Sequence, residues 1–203
     1  MEQELKQKIT KIKLWLGNGS INIFGLPFSG KDTHGSELAS FLEGPLVGGG
    51  DIIRASKHDE LQNHVATGKL APTDQYLAMV LPYLSQDDFN GKPLVLSSVG
   101  RWSGEDQSVY NACEKSNHPI KAVIYLEIPE IEVKNRWRKN KRERHDDASE
   151  EILDVRLDEF SEKTLPVINF YKDRNLLMIV DATPAIPLVT AHIIDRLYEL
   201  ATA

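Results

Sequence analysis

Cysteine is nearly absent from this 203-residue chain, which has Cys113 alone. One thiol cannot close an intramolecular disulfide or complete a four-cysteine zinc site, so a reducing, cytoplasmic setting is the expectation. Long apolar runs are also missing. Stretches such as Ala122–Leu126 and Leu176–Val180 stop after five residues, far short of the ~20 that cross a bilayer. The opening residues, Met1-Glu2-Gln3-Glu4-Leu5-Lys6, lack the basic-then-apolar order of a secretory signal. Positive charge is in deficit, with 24 Lys and Arg against 30 Asp and Glu, a net −6. That balance argues against a general nucleic-acid binder, because phosphate backbones need a basic footprint. The six histidines are scattered without metal-ligand spacing. What is present, 41% hydrophobic and 27% charged residues, fits one globular domain.

Five apolar, β-branched segments read as strands: 21–24, 45–47, 93–97, 121–128 and 176–181. They are nearly continuous rather than alternating, which suits a parallel sheet covered on both faces. Helical patterns separate them, at 33–42, 51–69, 73–84, 105–116, 129–141, 149–171 and 186–200. An amphipathic stretch at 2–16 precedes the first strand and stops at Gly17-Asn18-Gly19. Alternation of this kind predicts an α/β, three-layer, doubly wound fold with a five-stranded parallel sheet, carrying residues 1–19 as a helical extension.

The sharpest local feature is Gly25-Leu26-Pro27-Phe28-Ser29-Gly30-Lys31-Asp32-Thr33, which follows the first strand and opens a helix. Its glycines allow a tight turn whose backbone N–H groups point inward. The helix adds its positive end, and the lysine can reach terminal phosphates. Strict phosphate loops carry Ser or Thr directly after the lysine; here Asp32 holds that place and Thr33 follows. An ordinary strand-to-helix turn is the bland reading, and the strand–loop–helix context favours the nucleotide-binding one.

The chain resembles the adenylate kinases and related nucleoside monophosphate kinases. Their loop, Gly-x-Pro-Gly-x-Gly-Lys-Gly-Thr, is matched at Gly25, Pro27, Gly30, Lys31 and Thr33, while Phe28 and Asp32 each replace a glycine. Gly50-Asp51-Ile52-Ile53-Arg54 resembles the family's Gly-Asp-x-x-Arg, and Gly68-Lys69-Leu70-Ala71-Pro72 the stretch closing one side of the monophosphate lobe. Arg101 is the residue kept from Asp-Gly-Phe-Pro-Arg. Arg144-His145-Asp146-Asp147 matches the Arg-x-Asp-Asp after the lid, and Arg156 the arginine one helix-length on. Thr164 to Tyr171 resembles the family's Thr-x-Pro helix end.

The resemblance implies a P-loop fold with a monophosphate-binding lobe at 51–92 and a very short lid at 136–146. It implies Mg²⁺-dependent transfer of a phosphoryl group from ATP to a nucleoside monophosphate, AMP first. A kinase for another nucleoside monophosphate or nucleoside, or a nucleotide-binding regulator without turnover, are the alternatives. Lys31, Arg101, Arg144 and Arg156 are the implied catalytic residues. ATP would lie on Gly25, Pro27, Ser29, Gly30, Lys31, Asp32, Thr33 and Arg136, the last where the family stacks an arginine on the donor base. Asp51, Arg54, Leu70, Arg101, Gln107 and Arg156 would hold the monophosphate. Arginine suits this work because its planar fork grips phosphate oxygens and stays charged. Expected partners are these nucleotides, with no nucleic acid, no membrane and no second subunit.

Several departures bear on function. Ser97 stands where the family has a metal-serving aspartate, so Asp32 becomes the candidate metal residue; the opposite reading is a loop carboxylate that repels phosphate. Phe28 bars a left-handed backbone unless strain is accepted, and either reshapes the loop or covers the donor base. The family's adenine-reading glutamine falls at Glu105, with Gln107 reachable by a helix slip, and Gly49 replaces a threonine. Asn140 falls on a further lid arginine, for which Arg138 or Arg142 are substitutes. The run from Arg136 to Arg144, with Trp137 inside it, reads as a nucleic-acid patch or, in this family, as the lid hinge.

Overall fold

The computed structural model describes residues 2–55, 62, 66–84, 89, 91–139 and 148–203. Among them, five parallel strands form one sheet in the order β2-β3-β1-β4-β5: β1 Ser20–Gly25, β2 Leu46–Gly48, β3 Leu94–Ser97, β4 Ile120–Glu127 and β5 Leu177–Asp181. The central strand β1 has no exposed residue; Ile21, Ile23 and Phe24 are each at 0% exposure. Burying such side chains contributes roughly 1.5–3 kcal/mol apiece, which is why the apolar run at 20–25 lies in the middle of the sheet. Each strand boundary agrees with the sequence reading to within a residue or two.

The helices are α1 Glu2–Leu16, α2 Lys31–Leu42, α3 Gly49–Ala55, α4 Thr73–Leu84, α5 Glu105–Lys115, α6 Glu130–Lys139, α7 Glu150–Glu159, α8 Leu165–Lys172 and α9 Ile186–Thr202. The chain leaves α1 at Gly17, whose φ of +56° needs no Cβ to be accommodated. Helix α1 packs on α9, with an ion pair between Lys8 and Asp195 at 2.9 Å. Ser149 caps α7, its Oγ accepting the Ile152 N–H at 3.3 Å.

Three expectations change. The helix expected over 149–171 is broken by a π turn at Phe160–Thr164. Pro166 has no N–H to give the carbonyl of Glu162, and its ring crowds that carbonyl, so the turn widens before α8 begins. Strand β5 is not covered on both faces: Met178 and Val180 are buried but Ile179 is 48% exposed, because β5 is a sheet edge. The short lid expected over 136–146 is still helix through Lys139, the end of α6, and its remainder, with Arg144, Asn140 and Arg142, lies outside the described residues. So do parts of the lobe expected over 51–92 and of the helix expected over 51–69.

Candidate active site

The carboxyl ends of β1, β2 and β3 and the start of α2 open onto one cleft of about 870 Å³, its solvent-filled mouth included. In doubly wound sheets this is the edge where ligands bind. The phosphate loop forms its floor. A Cβ on Gly25 would meet Ser29 Oγ at 2.6 Å and the Leu126 carbonyl at 2.8 Å, so the turn admits only glycine. Gly30, at φ +98°, precedes the first turn of α2. Lys31 curls over the loop, its Nζ donating to the carbonyls of Gly25 at 2.7 Å and Leu26 at 2.8 Å. Ser29 is wholly buried, and its Oγ has no hydrogen-bond partner among the described residues. Phe28 takes the left-handed backbone that its side chain disfavours, at φ +61°. Thr33 is exposed on α2 and does not line the cleft.

Asp32 faces across the cleft to Ser97, whose Oγ donates to Asp32 Oδ1 at 3.2 Å. The position that lost a carboxylate and the position that gained one are therefore in contact. Beyond them, Arg54, Arg101 and Arg156 line the far wall with Asp51 and Leu70. Asp51 and Arg54 form an ion pair one helical turn apart on α3. Burial holds the Arg101 pKa below its usual value, and the nearby charges of Arg156 and Arg54 push the same way against Tyr76 and Glu105. Three guanidiniums from three separate segments thus converge, each of a type that stays charged at neutral pH.

Glu105 does not present its carboxylate to this cleft. It is 3% exposed, and its Oε2 accepts the backbone N–H groups of Arg101 at 2.9 Å and Trp102 at 3.0 Å. Burial raises its pKa, opposed by those two N–H groups and by Arg101. Gln107 is not brought to the cleft either. With α5 starting at Glu105, two residues turn the helix by roughly 200°, and Gln107 bonds Asn111 at 2.9 Å and Arg174 at 3.2 Å on the exposed side. Gly49 is explained by Tyr76, whose hydroxyl would lie 2.5 Å from a Cβ at that position and accepts the Gly100 N–H at 2.9 Å.

Other cleft residues carry no motif. Glu159 accepts the Leu70 N–H at 2.9 Å and pairs with Lys163 at 2.6 Å, and Lys163 lies 4.1 Å over the Trp102 ring. Gly68, at φ +87°, sits so close to α7 that a Cβ would meet the Ile152 carbonyl at 2.8 Å. Its absence lets the segment 68–72 lie against Arg156. The Glu159–Lys163 spacing of four was the one signal in the sequence for this contact. Arg136 lies outside the cleft lining, bonded to loop carbonyls.

A family model described as AAA domain matches residues 24–153, from the end of β1 into α7. The adenylate kinase of Kocuria rhizophila is 30% identical over 183 residues, covering 86% of this chain and 96% of that protein. That of Thermosynechococcus vestitus is 30% identical over 191 residues, covering 88% and 96%. That of Cyanothece sp. is 28% identical over 186 residues, covering 86% and 94%. The chain belongs to the adenylate kinase family. It is a P-loop phosphotransferase acting on nucleotides. As an adenylate kinase family member it departs from the expected loop at Phe28 and Asp32, and the structure shows each departure in contact with a neighbour that accommodates it.

Proposed function

We propose that this kinase transfers the γ-phosphoryl group of ATP to AMP, giving two ADP. The observation that carries the reading is the cleft in which Lys31 of the phosphate loop faces Arg54, Arg101 and Arg156. Two nucleotides must bring several negative charges into line there, and phosphoryl transfer depends almost wholly on positioning and on neutralising that charge. Lys31 would leave its two carbonyls for the donor's β/γ-phosphates, with Gly25, Pro27, Ser29 and Gly30 shaping the cradle. Arg54 and Arg101 would grip the acceptor phosphate bidentately, with Arg156 between donor and acceptor and Leu70 beside the acceptor. Arg144 would reach the donor from the lid over 136–146, and the lobe over 51–92 would close on the acceptor.

Magnesium fits the residues present. Among the described residues no cluster of three His, Cys, Asp or Glu could hold a metal ion. Mg²⁺ bound with ATP needs none, since one or two carboxylates, waters and the phosphates complete its shell. The Asp32 carboxylate, hydrogen-bonded to Ser97 on the cleft wall, supplies such an oxygen. The chemistry the ion supplies is neutralisation of charge on the phosphate oxygens.

A different nucleoside monophosphate as acceptor is the second reading. Commitment of the Glu105 carboxylate to two backbone N–H groups favours it, because that position then reads no base. Incubating the protein with ATP, Mg²⁺ and each of AMP, GMP, CMP, UMP and dTMP decides between them. ADP formed fastest with AMP supports the first reading, and a preference for another acceptor overturns it in favour of the second. The setting proposed is cytoplasmic, and the protein is proposed to act as a monomer. No helix among the described residues is long and apolar enough to cross a membrane.

A further inference from the structure

Phe28 holds a backbone state, φ +61°, that glycine enters freely and a Cβ disfavours. Its residue is only 8% exposed, so the ring is fixed among neighbours. The peptide that follows is gripped at both ends. Ser29 N–H donates to the Leu26 carbonyl at 3.1 Å, and the Phe28 carbonyl accepts Arg136 Nη1 at 3.3 Å. Arg136 is itself anchored elsewhere. Its Nε donates to Glu132 on its own helix at 3.1 Å, and its Nη2 to the carbonyls of Ala182 at 2.7 Å and Thr183 at 3.3 Å, just beyond β5. One planar fork therefore ties α6, the β5–α9 connection and the phosphate loop together, a geometry that a single ammonium could not reproduce.

We propose that Arg136 is a positioning residue for the phosphate loop: by holding the Phe28 carbonyl it keeps residue 28 left-handed and the 28–29 peptide oriented for phosphate. Without that bond, residue 28 relaxes toward negative φ, the 28–29 peptide turns, and the inward N–H groups of the loop lose their alignment. The role differs from contact with the donor base, because it acts on any ligand of the loop, including one that has no base. It rests on the reading that this loop binds the phosphates of ATP.

Inorganic tripolyphosphate, which carries no base, is the probe. Its affinity is measured by calorimetry for the wild type, Arg136→Met, Phe28→Gly and the double variant, with thermal midpoints recorded alongside. Arg136→Met is expected to weaken binding about tenfold in the wild-type background and less than about threefold beside Phe28→Gly, since glycine holds the left-handed state unaided. Arg136→Lys, which keeps the charge without the fork, is expected between wild type and Arg136→Met; wild-type affinity in Arg136→Lys would reduce the effect to charge and overturn the proposal. Equal losses in both backgrounds would overturn it too, as would a lowered midpoint with tripolyphosphate affinity unchanged. Should Arg136→Met fail to fold, Arg136→Lys with and without Phe28→Gly carries the same comparison. No binding to the wild type would remove the phosphate-loop reading and this inference together, whereas wild-type binding that Arg136→Met leaves intact removes the inference alone.

Discussion

At the scale of single residues, exchange of function between neighbours explains the unusual loop. Asp32 and Ser97 touch across the cleft, so a carboxylate remains on the wall although it comes from α2 instead of β3. Asp32→Gly is expected to lower Mg²⁺-dependent kcat by about 10- to 100-fold, and Ser97→Asp in that background to restore part of it. Magnesium titrations of turnover check both; an unchanged kcat in Asp32→Gly would assign the carboxylate no metal role. Tyr76 and Gly49 form a second such pair. The Tyr76 hydroxyl takes the Gly100 N–H in a buried place, and burial raises its pKa. Tyr76→Phe leaves that N–H unpaired and is expected to cost about 1–3 kcal/mol in urea unfolding. A threonine at position 49 would collide with the same hydroxyl. Neither pairing was legible in the sequence, because each joins residues far apart in the chain through a contact that only the fold creates. The loop, by contrast, was legible, since its glycines and Lys31 are adjacent in sequence and their spacing is the geometry.

At the scale of elements, the strands were easy to read and the long helices less so. Continuous apolar runs such as 20–25 and 122–126 can be satisfied only by burial on both sides. A π turn leaves no comparable periodic mark, and the break at Phe160–Thr164 shows only through the consequence of Pro166. Gln107 was drawn toward the site by a motif, but the start of α5 at Glu105 fixes its direction outward. A buried relay joins α2 to α9: His34 Nδ1 is 2.8 Å from Thr190 Oγ1, and that hydroxyl donates to Glu37. Burial lowers the His34 pKa, helped by Arg136 and opposed by Glu37. The unfolded chain therefore takes up a proton at a higher pH than the folded one. Stability contributed by His34 is present above its ordinary pKa of about 6.5 and is lost as pH falls through the lowered folded value. His34→Gln should flatten this dependence. Thermal midpoints of both proteins between about pH 7.5 and 5 are expected to converge toward acid; parallel curves would remove His34 from the pH response.

At the scale of the whole molecule, a net charge of −6 conceals a cationic cleft, because Lys31, Arg54, Arg101 and Arg156 meet there from distant positions. An acidic protein can bind small polyanions when its few cations are focused in one concave place. Only seven residues separate Arg136 from Arg144, which leaves little chain to cover the donor. Active sites that exclude water suppress hydrolysis, so slow release of inorganic phosphate from ATP without any acceptor is expected, and a phosphate-release assay that finds none would contradict an incomplete cover. The central claim is transfer of the terminal phosphoryl group to a nucleoside monophosphate. Its most direct measurement is the fate of the γ-phosphorus of labelled ATP incubated with Mg²⁺, AMP and the protein. The account predicts label in newly formed ADP, lost on Lys31→Met; label found only in inorganic phosphate, or left wholly in ATP, would contradict it.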